Sequence, residues 1–206
     1  MEKYDVDITI KRLTDWKEVK DSTLVTVHKK AIEGKPISSE WKTKMVISEH
    51  SPIRDLFCSI LLQKIPRFLA DELVRHTQGT NWKMGTWRED RIKKPRSEQH
   101  MDDLTVLKVD LNAQAFINIS QKRMCVGCAS PHIIKLWMKV IDLLYTVEPE
   151  LAKVCVPSCI YRGGCPEGFA KCGHFNTFAN SLDGEEEVEV LTNIEKRYEA
   201  YWEWRE

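Results

Sequence analysis

Alternating apolar and polar positions mark the start of the chain. Over Val6–Leu13 apolar residues alternate with polar ones, and this spacing predicts a strand with one buried face. Leu56–Ile65 is a short apolar run followed by a proline, which favours a buried strand. A third strand is predicted around Thr105–Val109, where the alternation returns.

Apolar residues three and four positions apart predict helices around these strands. The clearest is Pro131–Ala152, which Ser130 can cap and in which Pro131 can occupy the first turn. The other helices are predicted at Trp16–Ile32, Ser39–Ser48, Pro66–His76, Asn112–Arg123 and, in an aromatic-rich tail, Leu191–Glu206. Residues 77–95 are predicted to be a polar loop, and residues 155–173 an irregular Cys/Gly/Pro-rich segment.

These elements indicate the α+β class. The 206 residues are enough for one well-cored domain. We expect a core over residues 1–154, followed by a Cys-rich segment and a helical tail over 155–206 that belong to the same domain. The aromatic tail is expected to pack on the core or on a partner subunit.

Charge and hydropathy narrow the partners and the location. Lys and Arg number 31, and Asp and Glu also number 31, so the net charge is zero and bulk nucleic-acid binding is not expected. No apolar run is long enough to cross a bilayer, and the polar N-terminus lacks a signal-peptide core, so we expect a cytoplasmic protein. In that reducing compartment the seven cysteines are expected to be thiols or metal ligands rather than disulfides.

An arginine and a histidine stand side by side near the end of a predicted helix, at Arg75 and His76. A guanidinium next to an imidazole can hold a polar or anionic planar ligand. Taken alone, the pair is more simply an exposed helix end whose basic residues complement the helix dipole. The surrounding residues decide between these interpretations.

Several polar positions precede and follow this pair in a definite order. They are His50-Ser51-Pro52 before the central strand, Leu73-Val74-Arg75-His76, Thr86-Trp87-Arg88, Asn112-Ala113-Gln114, Asn118, Arg123, and finally Pro157-Ser158-Cys159 and Cys165-Pro166-Glu167-Gly168. The series resembles the flavin-dependent thymidylate synthases over roughly residues 45 to 173. The order and spacing carry the resemblance, since no single piece is specific.

The resemblance implies a fold and an activity. The fold is an α+β arrangement with a central antiparallel sheet and long helices, here followed by the Cys/Gly-rich appendage, and it assembles as a homotetramer with sites at subunit interfaces. Such enzymes bind FAD and dUMP, take a one-carbon unit from methylenetetrahydrofolate, and use NADPH as the reductant to make dTMP. By resemblance, this chain is predicted to be a flavoprotein methyltransferase.

The resemblance also assigns roles to individual residues. The catalytic group would be Arg75, His76 and Arg123. FAD would be bound by His50, Ser51, Arg75, His76, Asn112, Gln114 and Asn118, and the nucleotide by Glu72, Thr86, Arg88 and Arg123. Asn112 can equally serve as a helix N-cap, and that structural role can coexist with ligand binding.

The sequence departs from the family pattern on the nucleotide side. Thr77 replaces the second arginine of an Arg-His-Arg signature, and Gly85 stands where a serine is expected. Thr86 and Arg88 retain a hydroxyl and a guanidinium, shifted by one residue.

Two further changes affect charge. Glu72 replaces a common glutamine, and a carboxylate near a phosphate needs an intervening cation. Gln114 replaces an arginine that usually meets FAD. The loop before Asn112 is short, so Arg91 and Arg96 are only positional candidates for a missing substrate arginine.

These departures keep other functions open. A divergent enzyme could make hydroxymethyl-dUMP or act on dCMP, and a non-catalytic zinc- or nucleotide-binding module is the alternative from another class. We predict no metal site, since the cysteines do not form paired CxxC motifs. The weaker metal candidates are Cys125, Cys128, Cys159, Cys165 and Cys172, and a redox role for Cys125 and Cys128 is a further alternative.

Overall fold

Four strands form one antiparallel sheet in this computed structural model, which describes residues 4–30, 36–169, 171–182 and 186–205. The strands are β1 Asp7–Arg12, β2 Phe57–Pro66, β3 Thr80–Met84 and β4 Leu104–Asn112. Their order across the sheet is β1-β2-β4-β3. The three strands predicted from the sequence are confirmed, and so is the α+β class with a central antiparallel sheet.

The described helices surround this sheet. They are α1 Trp16–Thr26, α2 Ser39–Ile47, α3 Arg67–Leu73, α4 Glu89–Ile92, α5 Ala113–Arg123, α6 Pro131–Val147, α7 Pro149–Lys153, α8 Ser158–Arg162, α9 His174–Ala179, α10 Glu186–Thr192 and α11 Ile194–Arg205. Two 3₁₀ turns lie at Ser51–Asp55 and Arg96–Glu98. None of the helices in the described ranges is long and apolar enough to span a bilayer.

Two predictions about the middle of the chain were wrong. The predicted loop over 77–95 contains β3 and α4. β3 is a five-residue edge strand that pairs with β4, and its alternation of Trp82 and Met84 with exposed Asn81 and Lys83 is brief and lies in a mostly polar stretch. Residues 155–173 were predicted to be irregular, yet α8 lies within them.

Helix ends also differ from the prediction. α1 ends at Thr26 rather than Ile32, and Ile32 and Gly34 lie outside the described residues. The long helix predicted to reach Ala152 is divided into α6 and α7, because Pro149 cannot continue the ladder of α6. Pro66 is the last residue of β2 and the cap of α3, not part of its first turn.

The core lies between the sheet and α5, α6 and α8. Its largest fully buried side chains include Trp137 of α6 and Phe116 of α5. The Trp137 Nε1–H donates to the Ser120 hydroxyl at 2.9 Å, so the indole is buried with its polar atom satisfied. Cys58 is buried as predicted, and this burial raises the pKa of its thiol to about 12.

The strand register brings separate parts of the sequence to one end of the sheet. Phe57 lies opposite Asn112, and Thr80 lies opposite Leu111. The start of β2, the end of β4 and the start of β3 are therefore adjacent, at what we call the Asn112 end. The opposite end, where Pro66 pairs with Leu104, is the Leu104 end.

Candidate functional site

Arg123, the last residue of α5, makes the central polar contacts of the candidate site. Its Nε–H donates to His76 Nε2 at 2.8 Å, and its Nη2 donates to the Glu72 carbonyl oxygen at 2.5 Å. Its Nη1 lies 3.4 Å from the Glu72 carboxylate, to which Ser130 also donates at 3.5 Å. We call these four residues the Arg123 centre. The structure thus joins three residues that the sequence predicted for the site, and adds Ser130, which it did not.

His76 is held as a neutral imidazole in this arrangement. Burial, followed by the positive charges of Arg123 and Lys122, lowers the pKa of His76 from 6.5 to about 4. Because Nε2 accepts a hydrogen bond from Arg123, the ring proton is assigned to Nδ1. Above pH 5 the ring can therefore act as a neutral donor through Nδ1.

The Arg123 guanidinium is largely withdrawn from water. Its side chain is 13% exposed and that of Glu72 is 25% exposed. Burial lowers the pKa of Arg123 while the Glu72 carboxylate raises it. From the sequence, the Glu72 carboxylate needed a nearby cation to compensate its charge. In the structure that cation is Arg123. Arg75 is exposed beside this group, so its guanidinium faces solvent.

The backbone of His76 and the start of β3 are tied together just beyond the Arg123 centre. The His76 carbonyl accepts hydrogen bonds from Thr80 Oγ1 and Trp82 Nε1, both at 2.6 Å. These two donors hold the chain where it turns from α3 into β3. Residues 77 and 78 on this turn are exposed. Thr77 is therefore not packed into the site in place of the second arginine of the Arg-His-Arg signature.

Asn112 serves as the N-cap of α5. Its Oδ1 accepts the Ala115 N–H at 2.9 Å, and only 7% of the residue is exposed. Gly79 lies directly against it with φ of +70°, and a Cβ there would come within 2.6 Å of Asn112 Oδ1. The capping role suggested by the sequence is confirmed. The predicted contact with FAD stays a prediction.

Gln114 and Asn118 belong to a second polar network at the same end. The Gln114 amide donates to Glu49, and to Asn118 Oδ1 at 3.3 Å. Glu49 also accepts a hydrogen bond from Tyr161, and this bond is the main cause that raises the pKa of Tyr161 to about 12. Sequence reasoning missed Glu49 and Tyr161. A weak signal for Glu49 was its position directly before His50-Ser51-Pro52.

His50 and Ser51 lie exposed at the 3₁₀ turn that leads into β2. The His50 carbonyl accepts the Ile53 N–H at 3.0 Å, and His50 makes no side-chain capping bond. Leu56, at the end of this turn, accepts the Ala113 N–H at 2.9 Å, which fixes the turn against the start of α5. His50 and Ser51 are therefore exposed on a turn that is held at the Asn112 end.

Thr86 and Arg88 lie away from the Arg123 centre, near the Leu104 end of the sheet. Gly85 pairs with Val106 near the Leu104 end, and Arg67 at the start of α3 stacks on Trp87 at 4.5 Å. Arg88 is exposed and forms two hydrogen bonds with Asp90, at 3.1 and 2.9 Å. A strand rises about 3.3 Å per residue, so the six residues from Thr80 to Thr86 span roughly 20 Å. Within one chain these residues do not join the Arg123 centre, and Arg91 and Arg96 are exposed in the same segment.

Comparisons with solved structures identify the fold. Thymidylate synthase X from Helicobacter pylori, solved with FAD and dUMP, aligns with a TM-score of 0.57 and 13% identity over 71% of this chain and 99% of that chain. A UMP/dUMP methylase, PolB from Streptomyces cacaoi bound with 5-Br dUMP, aligns with a TM-score of 0.54 and 14% identity over 72% of this chain and 94% of that one. No protein-family model and no curated protein matches the sequence. At these identities the likeness establishes the fold, which the resemblance had predicted.

Proposed function

We propose that this chain, which has the fold of the flavin-dependent thymidylate synthases, is an FAD enzyme that transfers a one-carbon unit to C5 of a uridylate-type nucleotide. The observation that carries the proposal is the Arg123 centre, where a withdrawn guanidinium and a neutral imidazole meet beside an exposed arginine. The aligned structures add support, since one was solved with FAD and dUMP and another is a UMP/dUMP methylase.

The donor set at the Asn112 end fits a flavin. His50, Ser51 and Arg75 are exposed and can donate hydrogen bonds to carbonyl and phosphate oxygens. Gln114 and Asn118 contribute amides whose geometry is fixed by Glu49. FAD bound here would supply hydride to the transferred one-carbon unit, with NADPH as the proposed reductant and methylenetetrahydrofolate as the donor. The Glu49 carboxylate would repel a phosphate close to it, which favours placing the FAD pyrophosphate nearer Arg75.

The Arg123 centre suits the pyrimidine. C5 of a pyrimidine is a good nucleophile when the ring has enolate character, with negative charge on its carbonyl oxygens, and this charge is used up as C5 bonds to the one-carbon unit. Arg123 and Arg75 are cations near that position, and a preorganised cation in a partly dry site stabilises developing charge more than water does. His76 can donate from Nδ1 without carrying a charge of its own. Glu72 orients Arg123 through two contacts and prevents the guanidinium from turning away.

The nucleotide phosphate requires a second copy of the chain in this proposal. Thr86 and Arg88 are the retained hydroxyl and guanidinium, but in one chain they follow the far end of β3, roughly 20 Å along the strand from Thr80. A homotetramer with sites at subunit interfaces would bring the Leu104 end of one copy to the Asn112 end of another. Arg88 would then exchange Asp90 for a phosphate, to which an arginine can bind through two hydrogen bonds.

The test is a labelled-transfer assay with several nucleotides. The full chain is reconstituted with FAD and incubated anaerobically with NADPH, isotopically labelled methylenetetrahydrofolate and either dUMP, UMP or dCMP. We expect label in dUMP or UMP, with mass spectrometry showing a methyl or a hydroxymethyl product. Label in dCMP alone would contradict the uridylate assignment. Bound FAD without transfer to any of the three would contradict the proposed reaction.

Matched variants localise the activity. Arg123→Met should abolish transfer, because the cation near the pyrimidine is removed while an unbranched apolar stem is kept. Lys135→Met removes an exposed basic residue of α6 and should leave transfer unchanged. Equal loss in both variants would show that the assay reports general stability and not the Arg123 centre.

A further inference from the structure

A Cys-x-x-Cys turn connects two residues of the Arg123 centre. Arg123 is the last residue of α5 and Ser130 caps α6, and the side chains of both contact Glu72. Cys125 and Cys128 lie on the short connection between them. The proposed reaction assigns no role to either thiol.

The backbone of this turn brings the two cysteines close together. The Cys125 carbonyl accepts the Cys128 N–H at 3.1 Å and the Ala129 N–H at 3.0 Å, so the segment forms one helix-like turn. Residues three apart in such a turn have Cα atoms about 5 Å apart and side chains on the same face. A disulfide needs Cα atoms about 4.4–6.8 Å apart. The turn therefore meets the main geometric condition for a bond between Cys125 and Cys128.

The two thiols differ in their access to reagents. Cys128 is exposed, whereas Cys125 is partly buried, and both line a cavity of about 280 Å³. Burial, followed by a hydrogen bond with the Cys128 side chain, raises the pKa of the Cys125 thiol. Cys128 is therefore the thiol that meets a reagent first, and Cys125 stands beside it as a protonated second thiol. An attacking thiol and a resolving thiol are arranged in this way.

Core packing explains other cysteines of the chain but not this pair. Cys58 and Cys155 are buried among apolar side chains, and burial raises the pKa of both thiols to about 12. A thiol packed in this way is inert. Cys128 has no such burial. The charged side chains on the cavity wall are Lys122, Arg162 and Glu167. Two cations against one carboxylate favour a thiolate and an anionic reagent.

We propose that Cys125 and Cys128 are a dithiol site that a low-molecular-weight disulfide oxidises reversibly. Cys128 loses its proton to water, and its thiolate attacks one sulfur of the reagent, whose disulfide bond breaks to release one thiolate. Cys125 then loses its proton to water and attacks the Cys128 sulfur, which forms the Cys125–Cys128 bond and releases the second thiolate. The two cysteines are oxidised, and the reagent is reduced to two thiolates that take up protons. The new bond closes the turn between Arg123 and Ser130.

Cys172 is a neighbouring thiol that competes for such a bond. A Cβ at Gly127, inside the turn, would lie 3.6 Å from the Cys172 Sγ. Cys172 belongs to the segment before α9, so its position relative to the turn depends on tertiary packing. Cys125 and Cys128 are instead held by the hydrogen bonds of a single turn, which favours the bond between these two.

Thiol mapping of the full chain tests the proposal. The chain is reduced, freed of reductant, and incubated at neutral pH with glutathione and glutathione disulfide in set ratios, then quenched with acid, alkylated and digested with trypsin. Cleavage after lysine and arginine releases residues 124–135 as one peptide, whose two cysteines are Cys125 and Cys128. We expect this peptide to lose two hydrogens and both alkylation sites together, and dithiothreitol to restore them. Cys58 and Cys155 lie in other peptides and should stay reduced, so they are internal controls.

Three results of this mapping would overturn the proposal. The first is a lasting glutathione adduct on Cys128 beside a free Cys125. The second is a disulfide that links the peptide 124–135 to another peptide, such as the one that contains Cys172. The third is a peptide 124–135 that is oxidised no more than Cys58 and Cys155.

Serine variants separate the attacking thiol from the resolving thiol. Cys125→Ser should accumulate about tenfold more glutathione adduct on Cys128 than the wild type, because the resolving thiol is gone. Cys128→Ser should slow the oxidation of Cys125 about tenfold, because the exposed thiol is gone. Cys165→Ser changes another cysteine on the same cavity wall and should leave the oxidation of the pair unchanged. Equal behaviour of Cys125→Ser and Cys165→Ser would contradict a resolving role for Cys125. If a variant does not fold, the mapping of the wild-type chain still decides.

Discussion

The two ends of the sheet differ in how their polar residues are held. At the Asn112 end, Arg123 donates to both His76 and Glu72, and Asn112 is fixed by the start of α5 and by Gly79. At the Leu104 end, Thr86 and Arg88 are exposed, and Arg88 pairs only locally with Asp90. The first end is preorganised within one chain. In the proposed function, the second end acquires its role only against a second copy of the chain.

This contrast separates two kinds of predicted effect. A change at the Asn112 end should disturb folding and ligand binding together, because the same contacts serve both. A change at the Leu104 end should leave folding intact and affect only the nucleotide. The predictions below are ordered by the expected loss of folding free energy, from the tightest contact at the Asn112 end to the most exposed residue at the Leu104 end.

Gly79→Ala should have the largest effect. The new Cβ would come within 2.6 Å of Asn112 Oδ1, and φ of +70° is unfavourable for alanine. Strain of about 1–2 kcal/mol and a damaged helix cap worth about 1 kcal/mol give an expected loss of about 3 kcal/mol. Urea denaturation measures it. Gly168→Ala is the control, since a Cβ there meets nothing within 4 Å, and equal losses in both variants would contradict the account.

Arg123→Met should come next. It removes the donors to His76 and to the Glu72 carbonyl, and leaves the Glu72 carboxylate with Ser130 alone from this group. Leaving partly buried polar groups unpaired costs about 2 kcal/mol in unfolding free energy. Lys135→Met is the matched control in the same denaturation assay and should change stability by less than about 0.5 kcal/mol. An Arg123→Met chain as stable as the wild type would show that the contacts of the Arg123 centre contribute little to the unfolding free energy.

The pKa of His76 predicts a pH-dependent loss of stability. The unfolded chain takes up a proton near pH 6.5, whereas folded His76 resists protonation until about pH 4. The unfolded state therefore binds more protons in this window, and stability falls as the pH drops through it. Because His76 is only half-buried, we expect about 1 kcal/mol between pH 7 and 5. His76→Gln should lose this component, and identical pH profiles for the two proteins would contradict the assigned environment.

Arg88→Met should have the smallest effect on folding, below about 0.5 kcal/mol, because the residue is exposed. It should nonetheless raise the KM for the nucleotide if it contacts phosphate from another copy. Mixing Arg88→Met chains with Arg123→Met chains should restore part of the activity, since mixed oligomers contain one intact pair of ends. Absence of any recovery in proven mixed oligomers would contradict sites shared between copies.

The sequence predicted the fold where periodicity is strong. β1, β2 and β4 and the caps Asn112 and Ser130 followed from local patterns, because burial on one face and capping need only neighbouring residues. β3 was missed because its alternation covers only five residues and contains only two apolar side chains, Trp82 and Met84, within a mostly polar stretch. The division between α6 and α7 was missed because the apolar spacing continues across Pro149.

The candidate site was predictable only in part, for a similar reason. The resemblance placed Arg75, His76 and Arg123 in one site, and the structure joins two of them directly. The partners Glu49 and Tyr161 depend on contacts between distant parts of the chain, which no local pattern encodes. The separation of Thr86 and Arg88 from this group also required the strand register.

The central claim is that the Asn112 end binds a flavin that serves a pyrimidine nucleotide. The most direct test is the absorption spectrum of the full chain reconstituted with FAD, reduced anaerobically, and then given methylenetetrahydrofolate with and without dUMP or UMP. The account predicts one bound FAD per chain, with faster reoxidation when both substrates are present. A chain that stays colourless after reconstitution, or a bound flavin whose reoxidation ignores the nucleotide, would contradict it.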